Sequence, residues 1–229
     1  MSLATLSQQR PLRLLRIAAS PRGAASESRR LSQEIVDAVI AREAQRGVEL
    51  VELDASDLPA VDAGYALALA SREEPPPPAA DSALHRSDAL IAQLAAADIV
   101  VIATPMHNFT LPSALKAWID HIVRIRVTFN ATPQGKIGCL EDRPVYVAVS
   151  SGGLITGESA RQPDFLQPYL RHTLSTIGLH DLHFVTVEGT ALGEAALHAG
   201  RGAGTQAVAA LLALDRRAQG SPDSIAHAG

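Results

Sequence analysis

The chain has 229 residues, 47% of them hydrophobic and 19% charged, with a formal net charge of -4. That balance gives a globular chain with a sizeable core and excludes a disordered or fibrous protein. The mild charge argues against a nucleic-acid partner, and no apolar run reaches membrane-spanning length. The single cysteine, Cys139, excludes an internal disulfide framework and fits a reducing compartment, so a cytoplasmic enzyme is expected. One domain is expected over residues 11–219, between flexible tails at 1–10 and 220–229.

Residues 12–19 predict a first strand. Ser20-Pro21-Arg22-Gly23-Ala24-Ala25-Ser26-Glu27-Ser28 follows as a loop of hydroxyls, small residues and turn formers. A helix comes next, with Leu31, Ile35, Ala38 and Val39 on one face and Gly47 as a stop. Residues 48–53 alternate apolar and acidic, as in an edge strand. Residues 54–83 read as an irregular surface excursion, because Pro75-Pro76-Pro77-Pro78 excludes helix or internal strand there.

A helix over about 84–97 leads into Ile99-Val100-Val101-Ile102-Ala103, a strand buried on both faces. Pro105 is expected to end that strand, and Pro112 to sit in the first turn of the next helix. Leu115, Trp118, Ile119 and Ile122 give that helix an apolar face, and Lys116 and Asp120 are spaced for a surface ion pair. Residues 127–141 read as a loop or short hairpin. Residues 144–150 form a fourth strand. Leu166, Leu170, Leu174 and Ile177 mark a further helix stopped by Gly178, and 182–188 a fifth strand. A last helix spans about 192–218, weakened in its first half by Gly200, Gly202 and Gly204. The expected fold is α/β, a flavodoxin-like three-layer sandwich on a five-stranded parallel sheet of order 2-1-3-4-5.

In such a sheet the loops after the first, third and fourth strands meet at the carboxyl edge, where ligands bind. Ser20, Ser26 and Ser28 offer hydroxyls beside a helix start, which suits a phosphate; Ser26 or Ser28 serves equally well as a helix cap. Pro105, Met106, His107, Asn108 and Phe109 offer backbone groups, a thioether, an amide and aromatic surface suited to a flat heterocycle. Met106 and Phe109 suit the core equally. Ser150, Ser151, Gly152 and Gly153 let backbone approach a ligand closely, or simply turn the chain. There is no GxGxxG, Walker or GxSxG motif, and the dispersed histidines give no metal site.

Pro105-Met106-His107-Asn108-Phe109, continued by Leu115-Lys116-Ala117-Trp118-Ile119-Asp120-His121 and Val127-Thr128-Phe129, resembles the FMN-dependent NAD(P)H:quinone oxidoreductases called azoreductases. Ser20-Pro21, Ser26-x-Ser28-x-x-Leu31 and Ser150-Ser151-Gly152-Gly153 stand where that family places its other flavin loops. The resemblance implies a homodimer with FMN near the dimer interface. Ser20, Ser26 and Ser28 would hold the phosphate; Pro105, Met106, His107, Asn108 and Phe109 the isoalloxazine and ribityl region; Ser150, Ser151, Gly152 and Gly153 the pyrimidine edge. It further implies NADH or NADPH as donor and a ping-pong transfer of two electrons to a quinone or azo compound. No side chain is needed as acid or nucleophile, and His107 is a candidate substrate contact. The chain departs from the family pattern at His107, Arg126, Ala131 and Ser151. The rival is a flavodoxin-like electron carrier without pyridine-nucleotide turnover.

Overall fold

Five apolar stretches pair side by side in the computed structural model, which describes residues 10–71, 78–80 and 82–219. In chain order the strands are β1 (Leu12–Ala18), β2 (Val48–Asp54), β3 (Ile99–Pro105), β4 (Phe129–Thr132), β5 (Gly135–Gly138), β6 (Val145–Ser150) and β7 (Leu182–Val187). The helices are α1 (Glu27–Arg42), α2 (Ala63–Ala70), α3 (Ala83–Ala96), α4 (Ser113–Ile122), α5 (Leu166–Thr176) and α6 (Glu194–Gln219). The main sheet is parallel, in the order β2-β1-β3-β6-β7. With β4 and β5 set apart as an antiparallel hairpin, this is the expected order 2-1-3-4-5.

The period-2 alternation of β3 sends Ile99 and Val101 to one face and Val100 and Ile102 to the other. On the first face they meet Leu31, Ile35 and Val39 of α1 and Val208 and Leu212 of α6. On the second they meet Leu94 of α3, Leu115, Trp118 and Ile119 of α4, and Leu170 and Leu174 of α5. Each fully buried aliphatic side chain contributes about 1.5–3 kcal/mol, so both faces of the central strands are strongly held. β2 is an edge strand with exposed Glu49 and Glu52, which pair across the ladder with Arg13 and Arg16 of β1.

The structure corrects the expectations in three places. Residues 63–70 form a helix where an irregular excursion was expected, because Asp62 caps it, its carboxylate accepting the Tyr65 N–H at 2.7 Å. Pro75, Pro76 and Pro77 lie outside the described residues. β3 runs on through Thr104 and Pro105. Pro105 is tolerated because the β1 ladder has already stopped at Ala18 opposite Ala103, so its missing N–H faces no strand carbonyl there. Pro112 is the N-cap of α4 rather than part of its first turn. The last helix is present as expected, and α6 is continuous through Gly200, Gly202 and Gly204. Lys116 and Asp120 form the expected ion pair at 2.5 Å.

Among the described residues no helix is long and apolar enough to cross a membrane. Residues 1–9 and 220–229 lie outside the described residues; Arg10, expected in the first tail, is bound to the folded chain. Its guanidinium donates to both oxygens of Asp98, at 2.7 and 2.6 Å. Asp98 also accepts the Arg13 N–H at 2.7 Å. The Arg10 hydrogen bond, more than any other contact, holds the Asp98 carboxyl below its ordinary 3.8. A carboxyl whose pKa falls on folding stabilises the fold above its unfolded pKa and loses that contribution as pH drops through the folded one. Asp98→Asn is therefore expected to lower the melting temperature at pH 7, with the gap to wild type closing only below about pH 3.8. Melting curves from pH 7 to pH 3 check this; a gap that does not change with pH would show that Asp98 acts without its charge.

Candidate functional site

Parallel pairing puts the loops after β1, β3 and β6 at one edge of the sheet. The first leaves β1 with the Ala19 N–H bound to the Ala103 carbonyl at 2.9 Å. A single 3-10 turn over Gly23–Ala25, with Gly23 at φ 54°, carries the chain to Ser26, the N-cap of α1. Ser26 Oγ accepts the Arg29 N–H at 3.4 Å, a long and weak capping bond. Its stronger partner is Ser28 Oγ, 2.9 Å away. Ser20, Ser26 and Ser28 are all buried. The first-turn N–H groups of Glu27 and Ser28 have no carbonyl within the helix to meet. Buried hydroxyls and unmet N–H groups at the positive end of a helix of 16 residues form a donor set suited to a phosphate.

The β3–α4 connection, residues 106–112, is built on a two-residue turn. His107 N–H donates to the Thr110 carbonyl at 2.8 Å, and Thr110 N–H returns to the His107 carbonyl at 3.0 Å. Asn108 and Phe109 between them have φ 47° and 69°, as a type I′ turn requires. Asparagine accepts that conformation readily, but phenylalanine stands where glycine is usual, so this turn is locally strained. Phe109 is 47% exposed, which rules out the core alternative. Its carbonyl accepts the N–H of Phe165, itself 59% exposed, so the backbones of two exposed aromatic residues are joined at this edge. Met106 is half-buried against the α3–α4–α5 core.

The third loop is bound to the second. Met106 N–H donates to the Ser150 carbonyl at 2.8 Å, and Ser151 Oγ lies 4.0 Å from Met106 Sδ. Gln162 Nε2 donates to Ser151 Oγ at 3.1 Å and lies 3.7 Å from Met106 Sδ. A Cβ on Gly153 would come within 2.9 Å of Gln162 Oε1, so a larger residue here would have to push the Gln162 amide aside. The N–H groups of Thr190, Ala191 and Gly189 donate to the carbonyls of Ser151, Gly152 and Gly153, tying the loop to the chain beyond β7.

A cavity of about 390 Å³ joins the first two loops, with Pro21 on one wall and His107, Pro112 and Ser113 on the other. Ser56 and Leu58, which follow β2, also line it. Among the described residues no group of three or more His, Cys, Asp or Glu is placed to hold a metal ion.

The family described as having a flavodoxin-like fold matches residues 12–212. An FMN-dependent NADH:quinone oxidoreductase of Pseudomonas fluorescens is 49% identical over 188 residues, covering 81% of this chain and 88% of the relative. Another, of Burkholderia lata, is 47% identical over 189 residues, covering 82% of this chain and 91% of the relative. The chain belongs to this flavodoxin-like quinone oxidoreductase family. A solved azoreductase from Bacillus anthracis superposes with a TM-score of 0.75 at 24% identity, covering 88% of this chain and 98% of that one. At that identity the likeness is one of fold.

Within this family member, sequence reasoning singled out Ser20, Ser26, Ser28, Pro105–Phe109 and Ser150–Gly153, and the fold brings all three groups to one edge. It missed Gln162, Phe165 and Ser56. None of them lies in a motif; Gln162 and Phe165 come from the long loop between β6 and α5, and Ser56 from the short turn directly after β2. Of the four departures from the family pattern, Ser151 is buried within the site and His107 is exposed on its turn, whereas Ala131 is exposed on β4 and Arg126, at φ 67°, donates to the Ser71 carbonyl at 2.9 Å.

Proposed function

We propose that this chain is an FMN-dependent NADH:quinone oxidoreductase whose acceptors extend to azo compounds. The observation that carries the reading is the convergence of the hydroxyl-lined start of α1, the strained turn at Asn108 and Phe109, and the loop Ser150–Gly153. The donor set fits the cofactor. Ser20, Ser26, Ser28 and the first N–H groups of α1 would hold the phosphate; Pro105, Met106, His107, Asn108 and Phe109 the ring and ribityl chain; Ser150, Ser151, Gly152 and Gly153 the pyrimidine edge. Bound FMN supplies two-electron chemistry between a nicotinamide and a quinone.

The protein then has three tasks. Buried hydroxyls anchor the phosphate. The Met106–Ser151–Gln162 cluster fixes the wall against which a flat ring would lie. Phe109, Phe165 and His107 present apolar and polar surface to an incoming acceptor, and crowding them against a partner excludes water. That partner is a second copy of the chain. α2 is apolar at every position, yet only Tyr65 on it is buried, and Leu67 is 73% exposed; such a helix calls for cover. The exposed free thiol of Cys139 supports a reducing compartment such as the cytoplasm.

The test is a visible spectrum of purified protein with added FMN, then NADH or NADPH under nitrogen, then a quinone. The expected record is a flavin band that bleaches with the nicotinamide and returns with the quinone. A protein that takes up no FMN overturns the reading. A flavin band that neither nucleotide bleaches points instead to an electron carrier.

A further inference from the structure

Glu27 stands between Ser26 and Ser28, two of the three serines assigned to the phosphate, on the first turn of α1. A carboxylate there opposes a dianionic ligand, and its side chain is only 11% exposed, so water screens it little. Its charge is met from the far end of the sequence. Arg201 of α6 donates from Nε to Glu27 Oε2 at 2.9 Å and from Nη2 to Oε1 at 2.5 Å. Arg30 adds a bond from Nε to Oε2 at 3.1 Å, but it is shared with Glu34 on the same helix. Glu27, Glu34, Arg30 and Arg201 thus form a neutral group directly behind the first loop. The Arg201 hydrogen bond is the largest cause holding the Glu27 carboxyl below its usual range, so the carboxylate is anionic at any working pH.

Removing Arg201 would leave this group with a net charge of -1 beside the phosphate site. We propose that Arg201 sets the affinity of the first loop for a phosphate monoester by cancelling the charge of Glu27, making it a positioning residue for FMN that acts through another side chain. The proposal rests on the FMN reading above. A rival account makes the pair a clip that merely fastens α6 to α1. The two differ in what a second substitution does. If charge is the issue, neutralising Glu27 repairs the loss of Arg201; if the clip is the issue, it does not.

The experiment titrates FMN and riboflavin, which lacks the phosphate, into the flavin-free full-length protein at low ionic strength. Arg201→Gln keeps part of the side-chain stem and is expected to weaken FMN about tenfold while leaving riboflavin unmoved. Glu27→Gln binds FMN at least as tightly as wild type. The double variant returns to within about threefold of wild type, and the Arg201→Gln deficit narrows in about 0.5 M salt. An Arg201→Gln protein with wild-type FMN affinity overturns the proposal. So does a double variant as weak as the single one, or a parallel loss of riboflavin. In each of these cases the wild type still binds FMN and the cofactor reading stands; a wild type that binds no FMN ends both.

Discussion

Replacing Ser26 and Ser28 together by alanine is expected to weaken FMN binding by two orders of magnitude or more. A hydrogen bond to a charged acceptor is worth about 1.5–3 kcal/mol, and two of them convert to a factor on the order of a hundred to ten thousand. The cost to the fold is much smaller. Ser26 is a poor cap, with its bond to the Arg29 N–H stretched to 3.4 Å, so losing it costs less than the roughly 1 kcal/mol of a good one. The two hydroxyls chiefly satisfy each other, and removing both leaves neither stranded. The variant should therefore melt within a few degrees of wild type while losing its colour on dialysis. Riboflavin affinity isolates the phosphate, since it should hardly change. An unchanged FMN affinity would put the phosphate elsewhere on the molecule.

The main sheet was legible in the sequence because both of its faces are covered. Burial on two sides makes 99–103 and 145–150 near-continuous apolar runs, a pattern that few other environments produce. The edge strand declared itself through Glu49 and Glu52. α2 was hidden for the opposite reason. It buries one residue, so no periodicity marks it, and its local signals are a capping aspartate and a short run of alanine and leucine beside a proline-rich stretch. The three loops were legible as polar or glycine-rich breaks after strands, which is a statement about chain order. What sequence order does not carry is the crossing of loops in space. Gln162 comes 11 residues after Ser151 and still bonds to it, and Arg201 lies 174 residues from Glu27. Both contacts depend on packing that no local rule encodes. The glycines of α6 show a related limit: propensity judges a glycine by its own helix, whereas at Gly200 and Gly204 the neighbouring strand also decides.

That difference makes the three α6 glycines a measurable series. On helix propensity alone, each change to alanine should stabilise by about 0.5–1 kcal/mol. Gly202 faces open space, so Gly202→Ala should show that gain undiluted, about 2–4 °C in melting temperature for a chain of this size. At Gly204 the new Cβ would lie 3.0 Å from Val187 Cγ2 and 3.1 Å from Leu31 Cδ1, side-chain atoms with some room to give, so the two terms roughly cancel. At Gly200 it would lie 2.3 Å from the Glu188 carbonyl oxygen, which is backbone at the end of β7 and has little freedom to move. Forcing them apart costs about 1–3 kcal/mol or more, which outweighs the helix term and lowers the melting point. The displaced residue also matters to the site. Glu188 Oε2 accepts the Ile155 N–H at 3.1 Å, two residues beyond Gly153, so Gly200→Ala should loosen the Ser150–Gly153 loop and weaken FMN as well. Melting curves and FMN titrations on the three variants should rank them Gly202→Ala, Gly204→Ala, Gly200→Ala from most to least stable, with only the last losing cofactor affinity. Should Gly200→Ala gain stability as Gly202→Ala does, α6 must stand further from β7 than the packing described above, and its hold on both the phosphate loop and the Ser150–Gly153 loop would go with it.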